Sequence, residues 1–160
     1  MTVDQYEFRQ LCGRFATGVT VVTTLDDAGQ PAGMTANSFA SVSLDPPLVS
    51  VAVDKAASMY AAITAARSFT VNILEAHQEA LSRRFAAGLP DRFEGVGWHR
   101  GSDGQLVLDG VLAHLSCEKW QEFDAGDHTI VIGRVRFGTS AEHGRPLLYY
   151  RGGYADPDAF

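Results

Sequence analysis

The chain has 160 residues, of which 46% are hydrophobic and 20% charged, values typical of a soluble globular domain rather than of a disordered, collagen-like or coiled-coil protein. Nineteen acidic residues outnumber thirteen basic ones, and the net charge of −6 argues against nucleic acid or a membrane surface as a partner. The two cysteines lie far apart, and no stretch has the pattern of a secretory signal or the length of a transmembrane segment. We therefore expect one cytoplasmic domain over residues 1–160.

The first third of the chain predicts one helix followed by strands. Apolar residues recur at three- and four-residue spacing over residues 4–16, and Asp4 can cap the resulting amphipathic helix. Residues 17–25 form a β-branched run, and the polar stretch 26–31 predicts a turn after that strand. Residues 48–53 are apolar at nearly every position, so we expect a strand buried on both faces.

The middle of the chain alternates between helical and strand patterns. An alanine-rich segment, 56–67, and a second helical pattern, 76–87, flank residues 68–74, whose alternation predicts a strand. Residues 88–109 are rich in glycine and predict a long loop. A loop of that length inside a compact domain usually carries function.

The last third predicts a long hairpin and a short final strand. Strands over 111–123 and 128–139 are joined by a turn at 124–127, and a strand at 146–151 precedes the tail 152–154. Five or six strands that follow one another, with helices inserted between them, favour a mainly β antiparallel barrel over a doubly wound parallel sheet. An open sheet edge in so small a domain also favours self-association.

Common catalytic and nucleotide motifs do not fit the sequence. It has no phosphate loop, no GxSxG or HExxH motif, and its histidines are isolated, which gives no support to a metal site. The two cysteines, Cys12 and Cys117, are interpreted as small buried apolar groups without a redox role.

One stretch between two predicted strands concentrates small hydroxyl and amide side chains, namely residues 33–47. Small residues let the backbone approach a planar or phosphorylated ligand closely, and their neutral donors suit a flavin. The same composition also fits a serine-rich loop that satisfies its own backbone through local turns. The residues alone leave both interpretations open.

Three motifs in order carry a resemblance that covers nearly the whole chain. They are GMTANSFASVSLDPPLVSVAV at 33–53, AGDHTIVIGRV at 125–135 and LYYRGGY at 148–154. Together they resemble the flavin-binding segment, the GDH hairpin and the closing motif of the short-chain flavin reductase family. These proteins are the NAD(P)H-dependent reductase components of two-component flavin monooxygenases.

The resemblance implies an FMN-binding split β-barrel that forms a homodimer. It also implies hydride transfer from NADH or NADPH to FMN or FAD, with the reduced flavin passed to a separate monooxygenase. Two alternatives stay open. The first is a split barrel with tightly bound FMN that passes electrons to a protein partner or to another substrate, and the second is a non-enzymatic dimer that binds haem or a nucleotide.

The resemblance also implies a set of site residues. Residues expected to border the flavin ring and ribityl chain are Thr35, Ala36, Asn37 and Ser38, with Ser41 and Ser43 farther along the same segment. Residues expected near the flavin phosphate or the FAD extension are Lys55, Ser58, Arg84 and Phe85. Residues expected at the nicotinamide are His128, Arg151, Gly152 and Tyr154.

His128 is the residue expected to matter most for catalysis. A histidine beside an aspartate at the start of a strand is often only a turn cap, but the family resemblance places it against the nicotinamide side of the flavin. Its implied role is to orient the nicotinamide carboxamide by a hydrogen bond, with Asp127 fixing its tautomer.

Overall fold

A computed structural model describes residues 2–156 and 158, and its helices are short. They are α1 (Gln5–Cys12), α2 (Tyr60–Ala65) and α3 (Glu79–Ala86), with a 3-10 turn at Ala76–Gln78 directly before α3. Within the described residues, no helix has the length and apolar character needed to cross a membrane.

Most of the regular structure is β-strand, and the strands pair antiparallel. The strands are β1 (Thr17–Gly18), β2 (Thr20–Leu25), β3 (Pro31–Ala36), β4 (Ala40–Leu44), β5 (Pro47–Asp54), β6 (Ser68–Ile73), β7 (Trp98–Arg100), β8 (Leu106–Leu108), β9 (Ala113–Ala125), β10 (His128–Ser140), β11 (Leu148–Tyr150) and β12 (Gly153–Ala155). Seven of them form one sheet in the order β3-β2-β6-β9-β10-β5-β4, while β1, β11 and β12 form a second sheet and β7 and β8 a separate hairpin. The expected mainly β, antiparallel architecture with inserted helices is confirmed.

The two edges of the large sheet are joined by the chain itself. Strands β3 and β4 are consecutive in sequence but lie at opposite edges of the sheet, so residues 37–39 connect one edge to the other. Ser38 fixes this connection, because its Oγ donates to the Ala52 carbonyl of β5 and accepts from the Ala52 N–H, both at 3.0 Å. Hydrogen bonds of the Ser38 side chain thus take the place of backbone hydrogen bonds between strands at this connection.

Two apolar clusters lie on the two faces of β2. Val22 packs in one cluster with Val51 and Phe69, whereas Val21 packs in the other with Leu106. Neighbouring side chains of a strand point to opposite faces, and both valines are 0% exposed. Strand β2 is therefore buried on both faces.

Strand β5 differs from the expectation of burial on both faces. Its burial alternates, with Val49, Val51 and Val53 buried and Leu48, Ser50 and Ala52 only half-buried. An apolar run does not distinguish a strand between two cores from a strand whose second face borders a cavity.

Both early helices are shorter than predicted. The capping box of Asp4 with Glu7 forms as expected, but α1 ends at Cys12, where the Gly13 N–H donates to the Arg9 carbonyl. The pattern over 56–67 yields only α2, because Asp54 accepts hydrogen bonds from the backbone N–H groups that follow it and holds a turn there. Cys12 is exposed rather than buried.

The segment 88–109 is not one long loop, since it contains the β7–β8 hairpin, and the tail 152–154 contributes to β12. All three residues of β8 are buried, although three apolar residues between glycines are too few to indicate a strand by periodicity. The other cysteine, Cys117, is buried, and burial raises the pKa of its thiol to about 12, which fits the expectation that it has no redox role.

Candidate functional site

A cavity of about 330 Å³ lies where β3, β5, α3 and the start of β10 meet. We call it the main cavity because it gathers most of the predicted flavin-side residues, although larger cavities lie elsewhere in the described structure. Seven of the residues singled out from the sequence line it: Thr35, Ala36, Asn37, Ser38, Ser58, Phe85 and His128. They come from four separate parts of the chain. The fold thus brings the first two sequence motifs to one place.

The polar residues of the 33–47 segment do not all have free side chains. The Thr35 hydroxyl donates to the Ser82 carbonyl of α3 at 2.6 Å, and the Ser38 hydroxyl is occupied on both sides by Ala52. By contrast, the exposed Asn37 amide has no protein partner within the described part of the chain. Asn37 is therefore the side chain of this segment best placed to bond a ligand.

His128 borders the main cavity and is held by its neighbour. Its Nδ1 lies 2.7 Å from Asp127 Oδ1, and a carboxylate can only accept in this bond, so Nδ1 carries the proton. The same hydrogen bond lowers the pKa of Asp127 below its usual range. With the proton on Nδ1, Nε2 is the nitrogen that can accept a hydrogen bond. The His128 side chain is 40% exposed, so a ligand can reach it.

Lys55 does not line the main cavity. Its Nζ donates to the Gly126 carbonyl at 2.7 Å and forms an ion pair with Asp124, whose hydrogen bond raises the pKa of the amine. The Lys55 backbone N–H also donates to the Asp127 carbonyl at 3.0 Å. In this chain Lys55 therefore holds the β9–β10 turn that carries Asp127 and His128, rather than facing the cavity.

Arg84 also points away from the main cavity. Its Nε and Nη2 donate to the carbonyls of Arg92 and Asp91, at 2.8 and 3.1 Å. The next residue, Phe85, does line the cavity and packs edge-to-face against Phe93, with ring centroids 4.9 Å apart.

The C-terminal residues of the predicted site lie outside the main cavity. Tyr154 borders a different cavity, its OH is 2.7 Å from Ser82 Oγ, and the Arg83 guanidinium lies 4.7 Å above its ring. Arg151 and Gly152 form an exposed turn with φ of 52° and 81°. Like these three residues, Ser41 and Ser43 of β4 do not line the main cavity.

Sequence reasoning missed the rest of the lining. These residues are Met34, Ala52, Asp54, Ala57, Met59, Ala86, Gly88 and Arg92. Most are small or apolar and carry no chemical signal of their own. Arg92 is different, because it is a buried cation, but it lies in the segment that was predicted to be a loop.

Comparison with known proteins identifies the family of this chain. The family model described as "Flavin reductase like domain" matches residues 12–158. The chain belongs to the flavin reductase like family. The family named from the three sequence motifs is confirmed.

Two relatives and one solved structure give the degree of likeness. The chain is 41% identical over 158 residues to the flavin-dependent monooxygenase reductase subunit HsaB of Rhodococcus jostii, covering 98% of this chain and 80% of that protein. It is 47% identical over 151 residues to the reductase component of a flavin-dependent trigonelline monooxygenase of Acinetobacter baylyi, covering 94% and 48%. The structure of the Streptomyces globisporus NADH:FAD oxidoreductase SgcE6 with NAD and FAD fragments matches at 41% identity with a TM-score of 0.90, covering 100% and 99%.

These likenesses extend over almost all of this chain. The chain nevertheless spans about half the length of some of the curated relatives that it matches, 49% in one case and 48% in another. Several structural neighbours are named flavin reductases, and the antiparallel split β-barrel expected from the sequence is confirmed.

Proposed function

We propose that this chain is an NAD(P)H-dependent flavin reductase that transfers hydride from C4 of the nicotinamide to N5 of FMN or FAD. The observation that carries this proposal is the main cavity, which places neutral donors and His128 around one space in a chain of the flavin reductase like family. The solved relative that contains NAD and FAD fragments supports the same pair of cofactors.

The lining of the main cavity fits a planar ring. Small side chains at Ala36, Ala52 and Ala57 leave room along one side, and Met34 and Phe85 supply apolar contact. A volume of about 330 Å³ lies within the range of small-molecule sites. Once bound, the nicotinamide and flavin supply the redox chemistry themselves, so the protein needs to provide position and electrostatics rather than an acid or base.

The residues of this chain would act by holding the two rings together. Asn37 offers a free amide for the polar edge of the flavin, while Ser38 keeps its own loop in place through Ala52. His128, oriented by Asp127, presents Nε2 to accept a hydrogen bond from the carboxamide of the nicotinamide. Holding two reactants in a near-attack geometry accounts for a large part of the rate in such a reaction.

We also propose that the chain acts as a homodimer and delivers reduced flavin to a separate monooxygenase. The relatives whose names call them reductase subunits or components of monooxygenases support the second partner. Helix α1 supports the first, since its large apolar side chains Tyr6, Phe8 and Leu11 are 61–71% exposed and none of its residues is buried. The proposed location is the cytoplasm, where the nicotinamide substrate is available.

The test of the activity is a steady-state assay that crosses NADH and NADPH with FMN, FAD and riboflavin. We expect oxidation of at least one nicotinamide that depends on added or retained flavin. No oxidation with any combination would overturn the proposal. Yellow colour that survives desalting, together with no turnover of free flavin, would instead favour the tightly bound FMN alternative.

A further inference from the structure

His128 is the first residue of β10 and directly follows the turn at Gly126 and Asp127 that joins β9 to β10. In the large sheet it pairs with Asp54, the last residue of β5. The chain then runs from Asp54 to α2, and we call residues 55–60 the β5–α2 segment. This segment therefore starts beside the turn that carries His128.

Lys55 holds the chain on one side of His128. Its Nζ donates to the Gly126 carbonyl at 2.7 Å and pairs with Asp124, while its backbone N–H donates to the Asp127 carbonyl at 3.0 Å. These two carbonyls belong to the peptide groups on either side of Asp127, whose carboxylate accepts from His128 Nδ1. Lys55 thus bonds both peptide groups that place Asp127 against the imidazole.

Tyr60 holds the residue on the other side of His128. Its OH lies 2.8 Å from Thr129 Oγ1, and Thr129 is only 6% exposed. Tyr60 itself packs against the core cluster that contains Val51. Neighbouring side chains of a strand point to opposite faces, so a Thr129 that is fixed inward leaves His128 directed towards the main cavity.

These contacts matter more for orientation than for stability. The side chains of Asp124 and Lys55 are 81% and 36% exposed, and exposed ion pairs contribute little to the free energy of unfolding. The loss of Lys55 should therefore leave the fold intact. The Asp127 side chain is 91% exposed, so its position depends on the backbone of the turn, which Lys55 holds.

We infer that Lys55 and Tyr60 are positioning residues for His128, so that the β5–α2 segment determines how tightly the enzyme binds the nicotinamide. Neither side chain lines the main cavity, and both act through the orientation of the imidazole. The inference rests on the proposed function, because it assumes that His128 bonds the carboxamide of the nicotinamide. For Lys55 this role differs from the phosphate contact that the family resemblance implies.

The first experiment measures the KM for NADH and the dissociation constant of FMN in Lys55→Met and Tyr60→Phe. In each variant we expect the KM to rise about fivefold, the effect of one lost hydrogen bond, while flavin binding changes less than twofold. Lys55→Arg, which keeps the charge and a donor, should recover most of the loss. In a His128→Ala background neither substitution should raise the KM further, because the residue through which both act is gone.

The matched control is Arg136→Met. Arg136 of β10 bonds Glu118 of β9 at 2.9 and 2.6 Å, so this variant also removes an ion pair between the same two strands, at a distance from the turn. Its KM for NADH should equal that of the wild type. An unchanged KM in either folded test variant would overturn the inference, as would an equal rise with and without His128, which indicates a structural role.

The second experiment needs no activity. Nitrogen-15 NMR of the imidazole rings at mildly alkaline pH, with His128→Ala to assign the signals, shows which ring nitrogen carries the proton. We expect the His128 proton on Nδ1 in the wild type and a shift towards Nε2 in Lys55→Met; if that variant does not fold, Tyr60→Phe, which lacks one oxygen atom, replaces it. Unmoved signals overturn the inference. A wild-type protein that shows the Nδ1 proton and the expected shift on substitution, but oxidises no NADH or NADPH, overturns only the proposed function.

Discussion

At the scale of single residues, the Asp127–His128 pair is the most specific chemical feature of the main cavity. The carboxylate fixes the proton on Nδ1 and is itself 91% exposed, so its interaction with the ring is a hydrogen bond of modest strength. Its value lies in orientation, because a histidine with a fixed tautomer presents one nitrogen in one direction.

Replacing His128 with alanine should affect nicotinamide binding more than flavin binding. We expect the KM for NADH to rise about tenfold, since one oriented hydrogen bond to the carboxamide is lost. The dissociation constant of the flavin should change less than threefold. Steady-state kinetics and a flavin titration measure the two quantities, and equal weakening of both would remove His128 from the nicotinamide side. His99→Ala is the matched control, because His99 forms a similar bond to Asp109 outside the main cavity.

The sequence singled out seven residues that line the main cavity, but it did not reveal where the long basic side chains point. Asn37 and Ser58 reach the cavity as expected, whereas Lys55 and Arg84 turn to backbone carbonyls instead. The direction of a long basic side chain depends on the carbonyls and carboxylates that tertiary folding places near it, which local patterns do not encode. Arg92 was missed for the same reason.

At the scale of elements, the alternation of apolar residues located the main strands. The pattern did not reveal which faces they bury or where the helices end. Strands β6 and β10 fall close to their predicted ranges. The burial of β2 on both faces and the β7–β8 hairpin depend on what packs against them, so the sequence did not reveal them. The shortened α2 follows from a single turn held by Asp54.

The large sheet has no room for a side chain at Gly133 of β10. A Cβ at Gly133 would lie 2.5 Å from Phe69 Cζ and 2.8 Å from Cys117 Cβ, next to an irregularity in the β9–β10 pairing. We expect Gly133→Ala to destabilise the protein by about 1–3 kcal/mol, the usual effect of overpacking a core. The midpoint of denaturant unfolding measures it. Gly18→Ala is the control, because nothing lies within 4 Å of a Cβ there, and equal stability of the two variants would contradict the packing described.

At the scale of the whole molecule, helix α1 leaves its apolar side chains uncovered by the other residues that the structure describes. A net charge of −6 disfavours self-association, so a stable dimer must gain its free energy from apolar burial. The exposed side chains of α1 offer that surface.

Charging this surface should therefore dissociate the proposed homodimer. We expect Phe8→Glu to shift the mass measured by light scattering after size exclusion from that of two chains to that of one. Gln10→Glu adds the same charge at an exposed polar position of the same helix and should leave the dimer intact. A wild-type protein that elutes as a monomer at micromolar concentration would contradict the homodimer.

Among the described residues, one cavity combines neutral donors, an oriented histidine and a buried cation. We propose that hydride passes from nicotinamide to flavin in this cavity. The most direct measurement is anaerobic mixing of the protein with FMN and either NADH or NADPH, followed by absorbance. We expect the oxidised-flavin absorbance to bleach with loss of one reduced nicotinamide per flavin, far faster than in a mixture without protein. Bleaching no faster than the protein-free mixture, with FMN and with FAD alike, would contradict the account.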